Sequence, residues 1–297
     1  IYIQILYAAE SVRVNENTLQ VSIAQRDRGQ ELLNAGSIAK SDFAQLEAQV
    51  STDRYQLVTA QATLQDYKLQ LKQLLELDGE NEMNVYLPNL SDENVLAPLP
   101  AKKDVYVSAL AIRPEIEASK LNVEASELGI DIAKSSYFPT ISLSAGIGTN
   151  HTSGSDFTFG EQVKNGWNNS IGLSVSVPIF NNRQTKSAVQ KAKLQCETNM
   201  LSLLDEQKAL YKTIESLWLD ANSAQQRYAA ANEKLRSTQI SYDLISEQFN
   251  LGMKNTVELL TEKNNLLQAQ QEQLQAKYMA ILNTQLLKFY QGDKLTL

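Results

Sequence analysis

Cysteine and histidine are almost absent from this sequence of 297 residues, which contains Cys196, His151 and no second residue of either type. A disulfide within the chain is therefore impossible, and metal centres or catalytic triads built on these residues are excluded by supply. No other part of the sequence clusters nucleophiles, metal ligands or a phosphate-binding loop. We therefore predict a protein that is not an enzyme and that uses no cofactor, no metal and no catalytic residues.

Long apolar runs and an excess of basic residues are lacking as well. No stretch of eighteen apolar residues occurs, so no transmembrane helix is predicted, whereas the short alternating strands of a β-barrel are still allowed. The net charge of −7 argues against nucleic acid as a partner. The first residues read as helix and lack the features of a signal peptide, so we expect the sequence to begin inside a larger protein.

Proline and glycine are missing from residues 184–251, since all six prolines lie between Pro88 and Pro178. One helix through this run would be about 100 Å long. Its apolar residues step alternately by threes and fours, which is the 3.5-residue period of a coiled-coil seam. An ordinary antiparallel coiled coil would show the same period. The predicted seam consists of Leu210, Ile214, Leu217, Ala221, Ala224, Tyr228, Ala231, Leu235, Thr238, Tyr242, Ile245 and Phe249.

An internal repeat places two glycines at equivalent positions. Residues 31–43 align without gaps to residues 247–259, so that Asn34 matches Asn250 and Gly36 matches Gly252. Each copy is predicted to be a helix, a tight turn and a second helix, because glycine after a helix end readily adopts the left-handed conformation that closes it. We therefore predict two structural repeats with one helical hairpin in each. The first repeat is incomplete in this sequence.

Two segments between the hairpins, residues 137–149 and 169–180, change to a period of two. One face of each segment is aliphatic, and the other carries only serine, glycine, threonine and similar small groups. Each is about ten residues long, the length of a tilted transmembrane strand. A soluble sheet would also alternate, although its solvent face normally carries charge. The predicted lipid-facing residues are Ile141, Leu143, Ala145, Ile147, Ile171, Leu173, Val175, Val177 and Ile179.

The order of these elements resembles the TolC-type outer-membrane efflux protein family. The resemblance is carried by the strand segments "YFPTISLSAGIG" and "SVSVPIFNNRQ" and by residues 112–139, which lead into the first strand. It implies a mainly α fold in which long coiled-coil helices form an α-barrel and one β-hairpin of each chain spans the membrane. It further implies a homotrimer that shares one barrel, contact with outer-membrane lipid, and helices in the periplasm of a Gram-negative bacterium. The first strand hairpin of the family is absent, so the chain resembles a fragment.

The resemblance also sets the expected division of the chain. The parts are a first helical hairpin at 1–83 with its tip near 34–41, an equatorial linker at 84–112, a helix at 113–137, a transmembrane hairpin at 138–181 with its extracellular loop at 150–168, a long helical hairpin at 182–292 with its tip near 250–256, and a tail at 293–297.

A periplasmic gate is expected at the second tip, residue by residue. Phe249 matches the family's aromatic position, Lys254 its basic position and Glu258 its first acidic position. The second acidic position is Thr261 here, with Glu262 adjacent. The tip residues Asn34, Gly36, Asn250 and Gly252 are expected to dock a periplasmic adaptor. Lys254 and Glu258 are four residues apart, so an exposed pair on one helix is the alternative.

The resemblance implies a passive exit duct of a tripartite efflux pump or a type I secretion system. Such a duct works with a periplasmic membrane-fusion adaptor and an inner-membrane transporter, and the adaptor opens its helix tips. The alternative function is that of a soluble periplasmic coiled-coil adaptor or scaffold. That alternative predicts a β-hairpin packed on other residues of the same chain.

Overall fold

The computed structural model describes residues 1–77, 84–86, 88 and 95–295. Its elements are α1 (Tyr2–Asn34), α2 (Lys40–Leu74), α3 (Lys102–Ile112), α4 (Pro114–Ser135), β1 (Thr140–Gly148), α5 (Phe159–Asn165), β2 (Asn168–Ser176), α6 (Gln184–Asn250) and α7 (Thr256–Gln291). The prediction of a mainly helical chain with long helices and a two-stranded sheet is confirmed. The chain divides into two compact units, residues 1–110 with 210–297 and residues 111–209. No helix among the described residues has the length and apolar character needed to cross a membrane.

The first unit contains two helical hairpins, and its core follows the period read from the sequence. All of the predicted seam residues on α6 are buried or half-buried. Tyr228 of α6 is fully buried in a cluster with Leu6 of α1 and with Leu274 and Tyr278 of α7. Each large side chain buried in this way contributes about 1.5–3 kcal/mol relative to exposure, so the seam holds α6 against both neighbours.

The segment that was predicted as a linker, residues 84–112, contains helix α3 and is fixed to α6 by side chains. Gln225 donates hydrogen bonds to the carbonyl groups of Val95 and Ala97 at 2.9 and 2.8 Å. Trp218 Nε1 donates to the carbonyl of Pro100 at 3.0 Å. From the sequence this segment is predicted only as an equatorial linker, and the structure adds a helix over 102–112. The predicted boundary at 83/84 adjoins residues that lie outside the described ones. The end of the predicted tail, 296–297, also lies outside them.

In the second unit, β1 and β2 pair antiparallel with a regular register from Thr140 opposite Ser176 to Gly148 opposite Asn168. The second strand is shorter than predicted, because it ends at Ser176 and leaves Val177 and Ile179 outside the sheet. Proline has no amide hydrogen for a strand ladder, so Pro178 ends the pairing.

Part of the predicted loop, residues 150–168, is also helical. Helix α5 begins after Thr158, whose side chain and backbone exchange hydrogen bonds with Glu161. This capping box was visible in the sequence as a Thr-x-x-Glu pattern. It gives the loop a folded centre between the two strands.

Candidate functional site

The turn at each end of the helical hairpins, tip 1 (residues 34–41) and tip 2 (residues 250–256), has the same backbone conformation. Gly36 has φ of 74° and Gly252 has φ of 73°. In tip 2 the amide of Gly252 donates to the carbonyl of Phe249 at 2.9 Å, and the amide of Met253 donates to that of Gln248 at 2.8 Å. The matching bonds in tip 1 are 3.0 and 2.8 Å long. Both α1 and α6 therefore end in a Schellman motif with glycine in the left-handed position.

Tip 2 continues into α7 through a compact group of three polar residues. Asn255 is the N-cap, and its side chain accepts a hydrogen bond from the amide of Glu258 at 2.9 Å. The amide of Asn255 in turn donates to one carboxylate oxygen of Glu258 at 3.2 Å, and the other oxygen accepts from Lys254 Nζ at 2.5 Å. Both carboxylate oxygens thus have a partner within the same chain.

This geometry favours the ionised form of Glu258. The hydrogen bond from Lys254 and, after it, the bond from the backbone of Asn255 lower the pKa of the Glu258 carboxyl below its ordinary value of 4.5. Both bonds stabilise the charged form, and the negative charge also lies in the first turn of α7, where the helix dipole favours it. Lys254, Asn255 and Glu258 therefore form a charged group at the surface whose side chains already hold one another in place.

The other predicted gate residues do not join this group. Phe249 is 3 % exposed and belongs to the core cluster of Leu46, Tyr242, Leu259 and Leu266. The structure therefore places the aromatic side chain inside the first unit, where it fixes the end of α6 against α2 and α7. Its burial followed from the seam period, which includes position 249.

The remaining two gate candidates lie on the polar side of α7. The hydroxyl of Thr261 donates to the carbonyl of Val257 one turn earlier at 2.8 Å. The carboxylate of Glu262 accepts from Ser241 of α6 at 3.1 Å. The structure thus brings together Lys254 and Glu258 of the five predicted gate residues, while Thr261 and Glu262 have local partners.

A hydrogen bond connects the two hairpins near their tips. Arg28 Nη2 of α1 donates to the carbonyl of Asn250, the last residue of α6, at 3.3 Å. This bond satisfies one of the carbonyl groups that a helix leaves unpaired at its C-terminus. Arg28 lies six residues before Asn34, or about 9 Å of helix before the end of α1. The buried hydrogen bond from Gln25 Nε2 to the hydroxyl of Tyr242, at 2.8 Å, joins the same two helices.

A buried charged cluster lies between the hairpins, and the sequence analysis missed it. Lys263 of α7 and Asp53 of α2 form an ion pair whose side chains are 3 % and 1 % exposed. Ser22 of α1 contacts both, and Gln49 Nε2 donates to the second oxygen of Asp53 at 2.9 Å. A signal existed, because Asp53 continues the buried spacing of Leu46 and Val50 on α2.

The strand hairpin separates apolar from small polar side chains as its register requires. Apolar residues face each other across the strands, as with Leu143 opposite Leu173, and small ones do likewise, as with Ser144 opposite Gly172. A Cβ atom at Gly172 would lie 2.9 Å from the hydroxyl of Ser144, so a larger residue there would displace the Ser144 side chain. Every residue of both strands is exposed.

Aromatic residues flank the strands at both ends. Phe138 and Phe180 lie just outside the end at Thr140, and they are 69 % and 84 % exposed. Trp167 and Phe157 lie toward the opposite end and are also exposed. An apolar band between two sets of aromatic side chains is typical of transmembrane strands.

The sequence model of the outer membrane efflux protein family matches residues 105–292, which include the strand hairpin and tip 2. The chain belongs to this family. It is 25 % identical to the outer membrane efflux protein BepC of Brucella suis over 283 residues, which cover 95 % of the chain and 59 % of BepC. It is also 25 % identical to the outer membrane protein TolC of Escherichia coli over 295 residues, 95 % of the chain and 58 % of TolC.

A solved structure of CusC, described by its authors as a transmembrane channel, shares the fold of this family member. The TM-score is 0.81 at 18 % identity, over 99 % of this chain and 66 % of CusC. The chain therefore spans less than two thirds of the length of these proteins.

Proposed function

We propose that this family member contributes to a homotrimeric exit duct in the outer membrane of a Gram-negative bacterium. The β-hairpin supplies part of a shared barrel, and the helical hairpins supply part of a periplasmic tunnel. The duct conducts passively and catalyses no reaction. The single observation that carries this proposal is a strand hairpin exposed along its whole length, aliphatic on one face and small and polar on the other.

The exposure of the strands supports the duct over a soluble adaptor or scaffold. A soluble protein would bury the aliphatic face of residues such as Leu143 and Leu173 against its own chain. These side chains are instead 75 % and 71 % exposed. An open pair of strands cannot remain unpaired in lipid, because every backbone polar group there needs a partner. Pairing with strands of other copies satisfies this requirement.

The test of the duct is planar-bilayer conductance of the full-length protein purified in detergent. Discrete conductance steps from a trimer are expected. A monodisperse protein that stays soluble without detergent and never inserts would contradict the duct and favour the scaffold.

We also propose that tip 2 contributes to the periplasmic gate, through Lys254 and Glu258, and that Phe249 supports it from the core. Thr261 and Glu262 line the adjacent part of α7. An adaptor opens the gate when it engages both tips, at Asn34 and Gly36 and at Asn250 and Gly252, and the adaptor in turn connects the duct to an inner-membrane transporter. Rearranged helix packing at the tips is the expected opening motion.

The gate is tested by the double variant Lys254→Ala/Glu258→Ala in the full-length protein. Single-channel conductance is expected to rise, because the variant removes the charges that bias the tips toward closure. The matched control is Lys234→Ala/Glu272→Ala, which removes another exposed Lys–Glu pair of the same hairpin, 2.6 Å apart. Equal conductance of both variants and the wild type would remove tip 2 from the gate.

Adaptor docking is tested by placing a photo-crosslinking amino acid at Ser37 of tip 1 or at Met253 of tip 2, both of which are exposed. Crosslinks to the adaptor are expected from both positions. Crosslinks from neither position, while a position on the adaptor's transporter-facing side still crosslinks, would contradict docking at the tips.

A further inference from the structure

The cluster of Ser22, Gln49, Asp53 and Lys263, here called the latch, is a poor source of stability for its position. Removing a lysine and a carboxylate from water costs several kcal/mol per ion, and well-packed apolar residues in their place are often equally stable or more so. Burial lowers the pKa of Lys263 even though Asp53 opposes that effect, so the ion pair only partly offsets the cost of burial. The latch therefore requires an explanation other than stability.

The latch joins three helices that belong to different hairpins. Lys263 comes from α7 of the second hairpin, whereas Ser22 and Asp53 come from α1 and α2 of the first. The hydroxyl of Ser22 accepts from the ammonium group and donates to the carboxylate, and Gln49 occupies the second carboxylate oxygen. The four side chains can all make these hydrogen bonds only when the two hairpins have this position relative to each other along their axes.

The apolar contacts around the latch are less selective. Leu259 and Leu267 lie one turn before and one turn after Lys263 on α7, and both are buried. If α7 slid by one turn, a leucine would replace Lys263 opposite Asp53. Leucine would still pack against other apolar residues in the neighbouring layers, whereas both charges would lose their partners inside the protein. The charged pair thus distinguishes between registers that the leucines tolerate.

We propose that the latch fixes the register of the second hairpin against the first, so that the two tips move as one body unless the Lys263–Asp53 pair breaks. A buried polar residue that specifies the register of packed helices is a known use of such groups. The latch complements the single exposed hydrogen bond between Arg28 and Asn250, which joins the same two hairpins. The proposal concerns the helical unit and does not depend on conduction.

The test measures the distance between the hairpins by electron paramagnetic resonance in the full-length protein purified in detergent. Spin labels are placed at Ser41→Cys near the start of α2 and at Gln275→Cys far along α7, both exposed positions, so that most of the distance between the labels lies along the helix axes. The single cysteine is first removed by Cys196→Ala. Labelled chains are diluted with unlabelled ones so that each label pair lies within one chain. The wild-type register predicts a single narrow distance distribution.

The informative variant is Lys263→Met/Asp53→Leu, which removes both charges and keeps apolar volume. Its circular dichroism spectrum is expected to match the parent, while its distance distribution gains a second component shifted by about 5 Å, one turn of helix. The matched control is Lys234→Met/Glu272→Leu, a pair within the second hairpin, whose distribution should not change.

Two results would overturn the proposal. A single narrow distribution in the Lys263→Met/Asp53→Leu variant would show that the apolar layers set the register alone. A loss of helical content in that variant would make the pair an element of stability instead of a register device.

Discussion

The two tips of the helical hairpins have nearly identical backbones and different side chains. Gly36 and Gly252 differ by one degree in φ, and the next helix begins four residues after each of them. The N-cap of that helix is Ala39 in tip 1 and Asn255 in tip 2. The two turns thus share a left-handed glycine and the same backbone path, whereas the polar side chains at their surfaces differ.

The charge at the tips differs in the same way. The position equivalent to Lys254 is Ile38, so tip 1 has no cation at the position from which Lys254 binds Glu258, the counterpart of Asp42. Asp42 reaches only the amide of Ala39, at 3.4 Å, which is long for a hydrogen bond. A preorganised charged group therefore exists at tip 2 and not at tip 1, which supports the assignment of the proposed gate to tip 2.

The largest expected difference between the tips is the stability that each gains from the apolar side chain in the last turn of its first helix. Phe249→Ala removes a side chain that is 3 % exposed and should lower the free energy of unfolding of this region by about 3–5 kcal/mol. The equivalent residue of tip 1, Leu33, is half-buried, so Leu33→Ala should cost less. Hydrogen exchange of the peptides that cover each tip measures both losses. Equal losses would contradict the view that tip 2 has the deeper core.

The next effect should be the same at both tips. Gly36→Ala and Gly252→Ala each place a Cβ atom at positive φ, which costs about 1–2 kcal/mol. The added atom meets no neighbour within 4 Å at either glycine, so backbone strain is the whole cost. Hydrogen exchange of α1 and α6 near their ends should change by the same factor. A clearly larger effect at one tip would break the equivalence of the two turns.

The helix caps should separate the tips again. Asn255→Ala removes the N-cap of α7 and should cost about 1 kcal/mol, because the amide of Glu258 loses its acceptor. Ala39→Asn introduces the same cap at tip 1 and should stabilise α2 by a similar amount. Opposite changes in the exchange of the first turns of α7 and α2 are expected. No change at tip 1 would indicate that its backbone cannot accept a cap.

The sequence predicted the hairpins, the strands and the seam because each rests on a local rule. Glycine marks a turn, a period of two marks a strand, and a 3.5-residue period marks the buried side of α6. The strand end was misjudged at Val177 because the apolar alternation continues past the residue where Pro178 ends the ladder.

What the sequence did not reveal depends on contacts between distant segments. Asp53 and Lys263 are 210 residues apart, and they pair because of the register in which the two hairpins pack. Gly29 is similar, because a Cβ atom there would lie 2.3 Å from the side chain of Leu46, which only the packing of α1 on α2 brings into place. The Lys254–Glu258 pair was foreseen by its spacing, whereas its integration into a cap was not.

The smallest expected effect concerns the charge of tip 2. Lys254→Ala removes the main cause of the lowered Glu258 pKa, so that pKa should rise toward 4.5 and should remain below it because the bond from Asn255 is kept. The stabilisation of α7 by ionised Glu258 is complete above pH 4.5 and is lost as the pH falls through the lowered pKa. The wild type should therefore exceed the variant in stability at neutral pH, and the difference should vanish in acid.

Carbon-detected NMR of the Glu258 carboxyl in the full-length protein measures this pKa directly. The matched control is Lys234→Ala, because Glu272 also has a lowered pKa whose first cause is its bond to Lys234. Glu272 should respond to Lys234→Ala and Glu258 should not. An unchanged Glu258 pKa in Lys254→Ala would mean that the hydrogen bond from the Asn255 amide accounts for the shift, a bond whose counterpart in tip 1, from Ala39 to Asp42, is longer. The difference between the tips would then be one of capping and not of charge.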